Sequence, residues 1–380
     1  MKDQSKDRQV DAAFILAILF LALFARIPLL PLESGDYYFC LSAWMDRIRE
    51  QGGWHSLALR IGDYSSAYMY IMCLLSGFSR SMYALKFVSI FFDYMAAGVM
   101  FFLVREVSGN TRKGIAAMAL TLLCPTLILN GAWWCQCDII YVTFMLLALL
   151  LLIKGKGLLC CVMLGVAFSF KLQAVFLLPL LVIMWLKQSS PKPWHFLAIP
   201  LVFFLSLVPA WIAGRPLTEL LGAYVFQAGE YPFGTLHYPN MYEFFHENNV
   251  VWHVPYAISR FGMYFSFAVL GVFAYWMYNR KFRMTPQITV TLALFSVSLV
   301  LFTLPHMHER YGLFVDILCI AYALLRPKMA PLALGFIVLS LLSYIPFLNR
   351  VEVIPAVYLS LAMLGLNTVL AVDMSRQISE

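Results

Sequence analysis

The sequence predicts an all-α integral membrane protein, a bundle of about 11 to 13 transmembrane helices with an extended first outer loop. Three observations carry that expectation. Of the 380 residues, 62% are hydrophobic and only 12% are charged, against roughly 25% charge in a soluble domain. The mean hydropathy is +0.79. Apolar runs recur along the whole chain, separated by short polar punctuation. Helices are the spanning element because bilayer-facing backbone must satisfy its own hydrogen bonds.

The first apolar run, Ala12 to Leu30, follows Lys2, Lys6 and Arg8 and lacks a small-x-small pattern before Gly35. It reads as a retained span over 12–31 and not as a cleaved signal. Residues 32–83 form the first outer loop. Within it, Tyr38 to Arg49 is amphipathic and Gly52-Gly53 ends that piece. Residues 66–79 are too few to cross about 30 Å at 1.5 Å per residue, which predicts an interfacial helix.

Further spans are expected at 84–104, 114–130 and 138–153. The run 157–186 is interrupted by Lys171-Leu172-Gln173 and reads as two short spans turning there, which returns the chain to Lys187 and Lys192. A span at 194–213 precedes a second large outer loop, 214–260. The remaining spans fall at 261–278, 287–304, 309–325, 329–347 and 353–372. The whole of 1–380 reads as one polytopic membrane domain with no internal repeat.

Sixteen of the 27 lysines and arginines lie in the short connections on the N-terminal side, among them Lys2, Arg105, Lys113, Lys154, Lys187, Arg280 and Arg326. The positive-inside rule therefore puts both termini in the cytoplasm and the acidic long loops outside. The net charge of +7 is thus a topology signal. No basic patch interleaved with exposed aromatics is present, so nucleic acid is not an expected partner. The eight cysteines include no CxxC pair and no zinc spacing, and they read as small buried hydrophobes.

Polar residues with chemical potential cluster at the outer boundary. Asp36 sits just past the first span beside aromatics, where partial desolvation tunes a carboxylate toward general base work. Capping of the helix that follows is its simpler use, and the same holds for Asp63 before the interfacial helix and Asp138 before the fourth span. Asp93 and Lys171 lie inside apolar runs, where charges face a cavity or a partner. Lys86, seven residues from Asp93 on one helix face, is a structural partner for it. Lys171, with Gln173 beside it, suits an anionic group. His306-Met307-His308-Glu309-Arg310-Tyr311 is the densest polar stretch. Its histidines, two apart, would diverge on a helix, so a phosphate is a better ligand for it than zinc.

These stretches resemble multi-spanning GT-C glycosyltransferases, specifically bacterial proteins similar to the second mannosyltransferase of GPI-anchor synthesis. Gly35-Asp36-Tyr37 with Trp44 and Gly52-Gly53 resembles their first outer loop. Asp63-Tyr64-x-x-Ala67-Tyr68 is similar to a (D)Y-x-P-P-x-Y element, with Ser65, Ser66 and Ala67 in place of the usual prolines. Lys86 and Asp93 match a K…D helix. Trp134-Cys135-Gln136-Cys137-Asp138 resembles W-G-Q-x-D, with cysteine for glycine. Lys171-x-Gln173 followed by Pro179 is similar to K-x-Q…P. Gln227-x-Gly229-Glu230-Tyr231-Pro232 with Pro239-Asn240 resembles the later outer loop. Met307-His308-Glu309-Arg310-Tyr311 matches M-H-E-R-Y.

The resemblance implies a GT-C-like bundle in a bacterial cell membrane with its active site facing outside. It implies inverting transfer of a mannose- or glucose-type hexose from a polyprenyl-phosphate donor to a lipid-linked or cell-surface glycan acceptor, with Asp36 as the general base. Lys171, His308 and Arg310 would meet the donor phosphate. Asp63, Tyr64, Gln136, Asp138, Gln173, Asn240, His306 and Glu309 would orient sugar or acceptor. No cofactor is required, since basic side chains suffice for a monophosphate; Asp36, Asp138 and Glu309 leave room for a divalent cation without demanding one. Two other readings stay open: a flippase or transporter for a lipid-linked sugar, and a polymerase of lipid-linked repeats. Transporters tend toward inverted repeats and broken midplane helices, whereas here the polar residues gather at the outer boundary.

Overall fold

A computed structural model describes residues 2–230, 233–245 and 256–380. The chain starts in α1 (Lys2–Arg26) and leaves it through a short 3-10 turn, Ile27–Leu29. Lys86 donates to the carbonyls of Leu29, Leu30 and Leu32 at 3.2, 3.0 and 2.6 Å, satisfying the end of that first span.

Ser34 then starts the first long loop, its Oγ accepting from the Tyr37 amide at 3.1 Å. A π-helical turn over Tyr37–Leu41 runs straight into α2 (Ser42–Glu50). Gly52 at φ +75° closes it in the left-handed region that glycine tolerates. A 3-10 turn, Gly53–Ala58, leads to α3 (Ser66–Leu75), a short helix within the stretch 66–79. Leu41, Met45 and Ile48 lie on one face of this piece at helical spacing. They pack with Met69 and Met72 of α3 and with Leu85, so the loop has its own apolar core.

α4 (Ser81–Ser108) stops at Gly109, φ +67°, and Asn110 caps α5 (Thr111–Leu122) by accepting from the Lys113 amide. Pro125 begins α6 (Pro125–Ile128), which passes into a π turn over Leu129–Trp133; the two halves of this span are bent by 48°. α7 (Asp138–Ile153) and α8 (Gly157–Phe170) follow. At Lys171 the backbone is extended, φ −154° and ψ +139°, which ends α8 before a 3-10 turn and α9 (Leu178–Gln188). A Cβ on Gly157 would lie 2.9 Å from Pro191 Cα. The start of α8 and the chain beyond α9 therefore share one end of the bundle, and Lys171 is a turn, as expected.

α10 (Ala198–Ile212) leads to α11 (Leu217–Glu230), so a helix occupies part of the loop expected over 214–260. β1 (Thr235–Leu236), a 3-10 turn and α12 (Tyr256–Asn279) come next. Thr285 caps α13 (Pro286–Thr303), after which β2 (Met307–His308) pairs parallel with β1, Thr235 opposite Met307 and Leu236 opposite His308. The chain ends in α14 (Leu313–Leu325), α15 (Ala330–Asn349) and α16 (Ala356–Ser379).

Among the described residues, seven helices are long and apolar enough to cross a membrane, or eight counting the bent pair α5–α6. The other expected spans are shorter helices, including α7, α8 and the 172–188 stretch. A span can shorten where it meets protein and not lipid, and α13, the long helix at the centre, is 83% buried over its apolar window against 17% for α10 at the rim.

Contacts sort the connections onto two opposite ends. At one end Lys154 pairs with Glu106 at 2.9 Å, Arg326 with Asp373 at 2.6 Å, and Lys187 donates to the Tyr278 carbonyl at 3.1 Å. At the other end Ser34 Oγ donates to the Trp134 carbonyl at 2.7 Å and β1 joins β2. Lys86 and Asp93 do not pair, contrary to expectation. Asp93 is held by Arg26 instead, with Nε at 2.9 Å and NH2 at 2.8 Å, both ends fully buried. The same arginine donates to the carbonyls of Ala22 and Leu122, tying α1 to α4 and α5.

Candidate active site

Three short connections converge at the end carrying Ser34 and β1: the start of the outer-loop helix with Asp36, the 134–138 turn, and the 307–311 turn. Lys171 closes the group from below.

The 134–138 turn is fixed before any ligand arrives. Cys135 has φ +64°, a left-handed conformation that costs a residue with a Cβ on the order of 1 kcal/mol or more. This explains why the resembling families use glycine there. The kink sends Trp134 and Gln136 the same way. Trp134 is fully buried, stacked on Phe347 with ring centroids 4.5 Å apart and edge-on to Tyr344 at 5.2 Å. The Gln136 carbonyl accepts from Ser89 Oγ at 2.7 Å, and its amide donates to the Asn130 carbonyl at 3.0 Å.

Both side chains grip one carboxylate oxygen. Trp134 Nε1 donates to Asp36 Oδ2 at 3.0 Å, and Gln136 Nε2 donates to the same atom. Gln136 Oε1 in turn accepts from the Tyr64 hydroxyl at 2.9 Å. Asp36 does not cap its helix; it lies in the helical region at φ −63° and Ser34 does the capping. Asp63 and Asp138 likewise make no capping bond.

Arg310 sits between three carboxylates. It lies 3.6 Å from Asp36 Oδ2, 3.5 Å from Asp138 Oδ2 and 3.4 Å from Glu309 Oε1. It also lies over the Trp134 ring at 5.5 Å. Burial by itself lowers its pKa, and the charges of Asp36, Asp138 and Glu309 more than reverse that, holding it above the ordinary arginine range. None of the three contacts is bidentate, and the buried Nε has no hydrogen-bond partner. Donors therefore remain for an added anion.

Asp138 is fully buried, accepting from Asn130 Nδ2 at 3.1 Å and paired with Lys171. Lys171 Nζ lies 5.8, 5.8 and 5.2 Å from the ring centres of Tyr64, Tyr141 and Tyr311, an aromatic cage for a cation. Two residues on, the buried Oε1 of Gln173 has no hydrogen-bond partner.

Glu309 is buried, and its carboxyl is pushed up to about 7 by that burial, with Arg310 pulling the other way. His308, 3.9 Å from Glu309, is held well below the ordinary histidine range, first by burial and then by the charges of Arg310 and Lys171. At neutral pH it is an uncharged imidazole, able to donate or accept one hydrogen bond but not to serve as a cation.

The structure brings together Asp36, Tyr64, Gln136, Asp138, Lys171, His308, Glu309 and Arg310. It does not bring in the remainder. Asp63 lies 3.6 Å from Arg60, and its carbonyl accepts from Gln227. Asn240 is buried holding its own loop, donating to the Leu304 carbonyl at 3.3 Å and accepting from the Tyr242 amide at 3.0 Å. His306, at φ +63°, meets the Phe233 carbonyl and Ser259 Oγ, tying β1 and α12 to the 306–311 turn. The segment is not helical: His306 is left-handed and His308 lies on β2, and the two meet different partners. Tyr231 and Pro232 lie outside the described residues.

No protein-family model matches the sequence, and no curated protein matches it. Among solved structures, the crystal structure of ArnT from Cupriavidus metallidurans in the apo state matches 95% of this chain and 77% of that one, with a TM-score of 0.52 at 16% identity. The chain shares its fold with that structure. That fold establishes a multi-pass helical membrane protein, while the cluster's own residues carry the chemistry. The sequence did not single out Arg26, Asn130 or Tyr141, and it gave Tyr311 no role of its own. Arg26 ends an apolar run and resembles an ordinary flanking charge. The aromatics carry no spacing that separates them from an interfacial belt.

Proposed function

We propose that the chain is an inverting glycosyltransferase, moving a hexose of mannose or glucose type from a polyprenyl-phosphate donor to a lipid-linked or cell-surface glycan acceptor. The site faces the outside of a bacterial plasma membrane and both termini are cytoplasmic, a sidedness supported by the positive-inside bias. One observation carries the reading. A part-exposed carboxylate, Asp36, is clamped through one oxygen by Trp134 and Gln136 and stands beside a cation, Arg310, that retains unused donors.

The step balances simply. The acceptor hydroxyl oxygen attacks the anomeric carbon as its proton passes to Asp36. The bond from that carbon to the phosphate oxygen breaks on the opposite face, and the electron pair leaves with the lipid phosphate. Arg310, aided by Lys171, offsets the developing charge, and neutral His308 supplies one hydrogen bond. Asp138 and Glu309 hold Arg310 in place. Tyr64, bonded to Gln136 within that cluster, is placed to orient a hydroxyl. Asp138 and Glu309 are engaged with Lys171 and Arg310, and among the described residues no three His, Cys, Asp or Glu side chains group so as to hold a metal ion.

Labelled polyprenyl-phosphate monosaccharides, supplied with a membrane glycolipid extract to purified protein in detergent, test the proposal. Sugar transfer accompanied by release of the lipid phosphate is the expected result. Movement of intact donor between leaflets of proteoliposomes, with no transfer in detergent, would replace this reading with the flippase.

A further inference from the structure

A second basic recess lies at the same end of the bundle, away from the central cluster. It opens between the 3-10 turn Gly53–Ala58, α3 and the end of α10. Its wall is apolar on one side, with Leu57, Leu59 and Met69, and polar on the other, with Ser56, Ser66 and Arg215. Arg215 is only 7% exposed, and among the described residues it pairs with Glu219, at 3.7 Å. Its buried Nε has no hydrogen-bond partner. Burial lowers its pKa, Glu219 restores part of it, and the neighbouring charge of Arg60 lowers it again. A buried guanidinium held by one long contact to Glu219, with Arg60 as a like-charged neighbour, is an arrangement that an added anion would relieve.

The surroundings favour a lipid anion over a free one. Arg215 follows the end of α10, a candidate membrane span, by three residues, and Trp211 and Ile212 at that end are exposed. Trp54, Leu59 and Leu74 of the outer loop are exposed as well, an apolar surface suited to the membrane boundary.

We propose that this recess binds the phosphate of a membrane-embedded lipid, with Arg215 as the anchoring residue, the serine hydroxyls as further donors, and the exposed Leu59 at its mouth against the lipid chain. The chemistry is shared by a polyprenyl phosphate and by a bulk phospholipid headgroup. The proposal is independent of the transfer reaction and stands if that reaction fails.

Native mass spectrometry of the full chain in detergent, titrated separately with polyprenyl phosphate, phosphatidylglycerol and inorganic phosphate, counts bound molecules and yields affinities. Wild type is expected to hold a saturable lipid phosphate that Arg215→Gln weakens about tenfold or more, the scale of one lost charge-assisted hydrogen bond. Arg310→Gln should leave this site unchanged, which separates it from the central cluster. Leu59→Glu, at a half-exposed lining position that folding tolerates, puts a carboxylate at the mouth and should weaken binding similarly. Preference for polyprenyl phosphate supports a carrier-lipid site, and equal binding of phosphatidylglycerol supports a headgroup site. Binding of inorganic phosphate alone overturns the lipid assignment. Unchanged lipid binding in Leu59→Glu or folded Arg215→Gln, or no saturable binding by wild type, overturns the proposal.

Discussion

Asp36→Asn tests the proposed chemistry most directly, and the structure says how the variant will sit. All recorded contacts of Asp36 fall on Oδ2, from Trp134, Gln136 and Arg310, leaving Oδ1 as the open oxygen. Because Oδ2 faces donors, asparagine will turn its carbonyl oxygen toward them. Its NH2 group then occupies the Oδ1 position, so a donor stands where the proton acceptor stood. Loss of a positioned general base lowers turnover by roughly 10²- to 10⁴-fold. The fold loses only the charge assistance of three contacts, on the order of 1–3 kcal/mol in total. Initial rates with labelled donor, read beside a melting curve in the same detergent, separate the two effects. Turnover within threefold of wild type in the folded variant would refute the base assignment.

Three further outcomes follow from the same geometry. Arg26→Ala leaves Asp93 buried and unpaired and should cost about 3–5 kcal/mol in detergent unfolding; pairing it with Asp93→Leu should recover part of that, while coupling of Asp93 to Lys86 instead would contradict the observed pairing. Glu309, raised by burial to about 7 from 4.5, contributes stability that is full below about pH 4.5 and lost as pH rises through about 7, a span on the order of 3 kcal/mol. Melting temperatures from pH 5 to 8 should fall in wild type and stay flat in Glu309→Gln, and parallel profiles would remove Glu309 as the titrating group. A Cβ on Gly62, at φ +82°, would lie 2.5 Å from the Trp44 ring, whose edge packs on Tyr64. Gly62→Ala should therefore destabilise by about 1–3 kcal/mol and lower turnover through Tyr64 and Gln136, and an unaltered melting point would show that the loop yields freely.

The helices were legible because apolar length is a one-dimensional signal, and the turn at Lys171 was legible because charge at that depth needs a reason. Pairing was not legible. Lys86 and Asp93 share a helix face, yet Asp93 meets Arg26 at the end of α1, 67 positions away, and Lys86 meets the carbonyls of Leu29, Leu30 and Leu32 just beyond it. His306 and His308 look equivalent in sequence, and one left-handed residue sends them to different tasks. Asn240 and Asp63 stand in motifs but serve loops, since a polar side chain is as useful to a buried backbone as to a ligand. Asp36 with Gln136 and Asp138 with Arg310 came together as the motif order suggested. The grip of Trp134 depends on a ring orientation no spacing encodes.

The cluster around Arg310 has a consequence for biogenesis. Asp36 leaves the ribosome early, its partners Trp134 and Gln136 about a hundred residues later, and Arg310 later still. At about 5–20 residues per second the interval between Asp36 and Arg310 is roughly 14 to 55 s. Once Asp138 and Lys171 have followed, and until Arg310 arrives, the membrane-inserted first half holds Asp36 and Asp138 with Lys171 as the cluster's cation. The final polar turn acts as a keystone for charge as well as shape. A chain truncated before it should remain inserted yet unlocked at that end, which is where membrane quality-control proteases would find it.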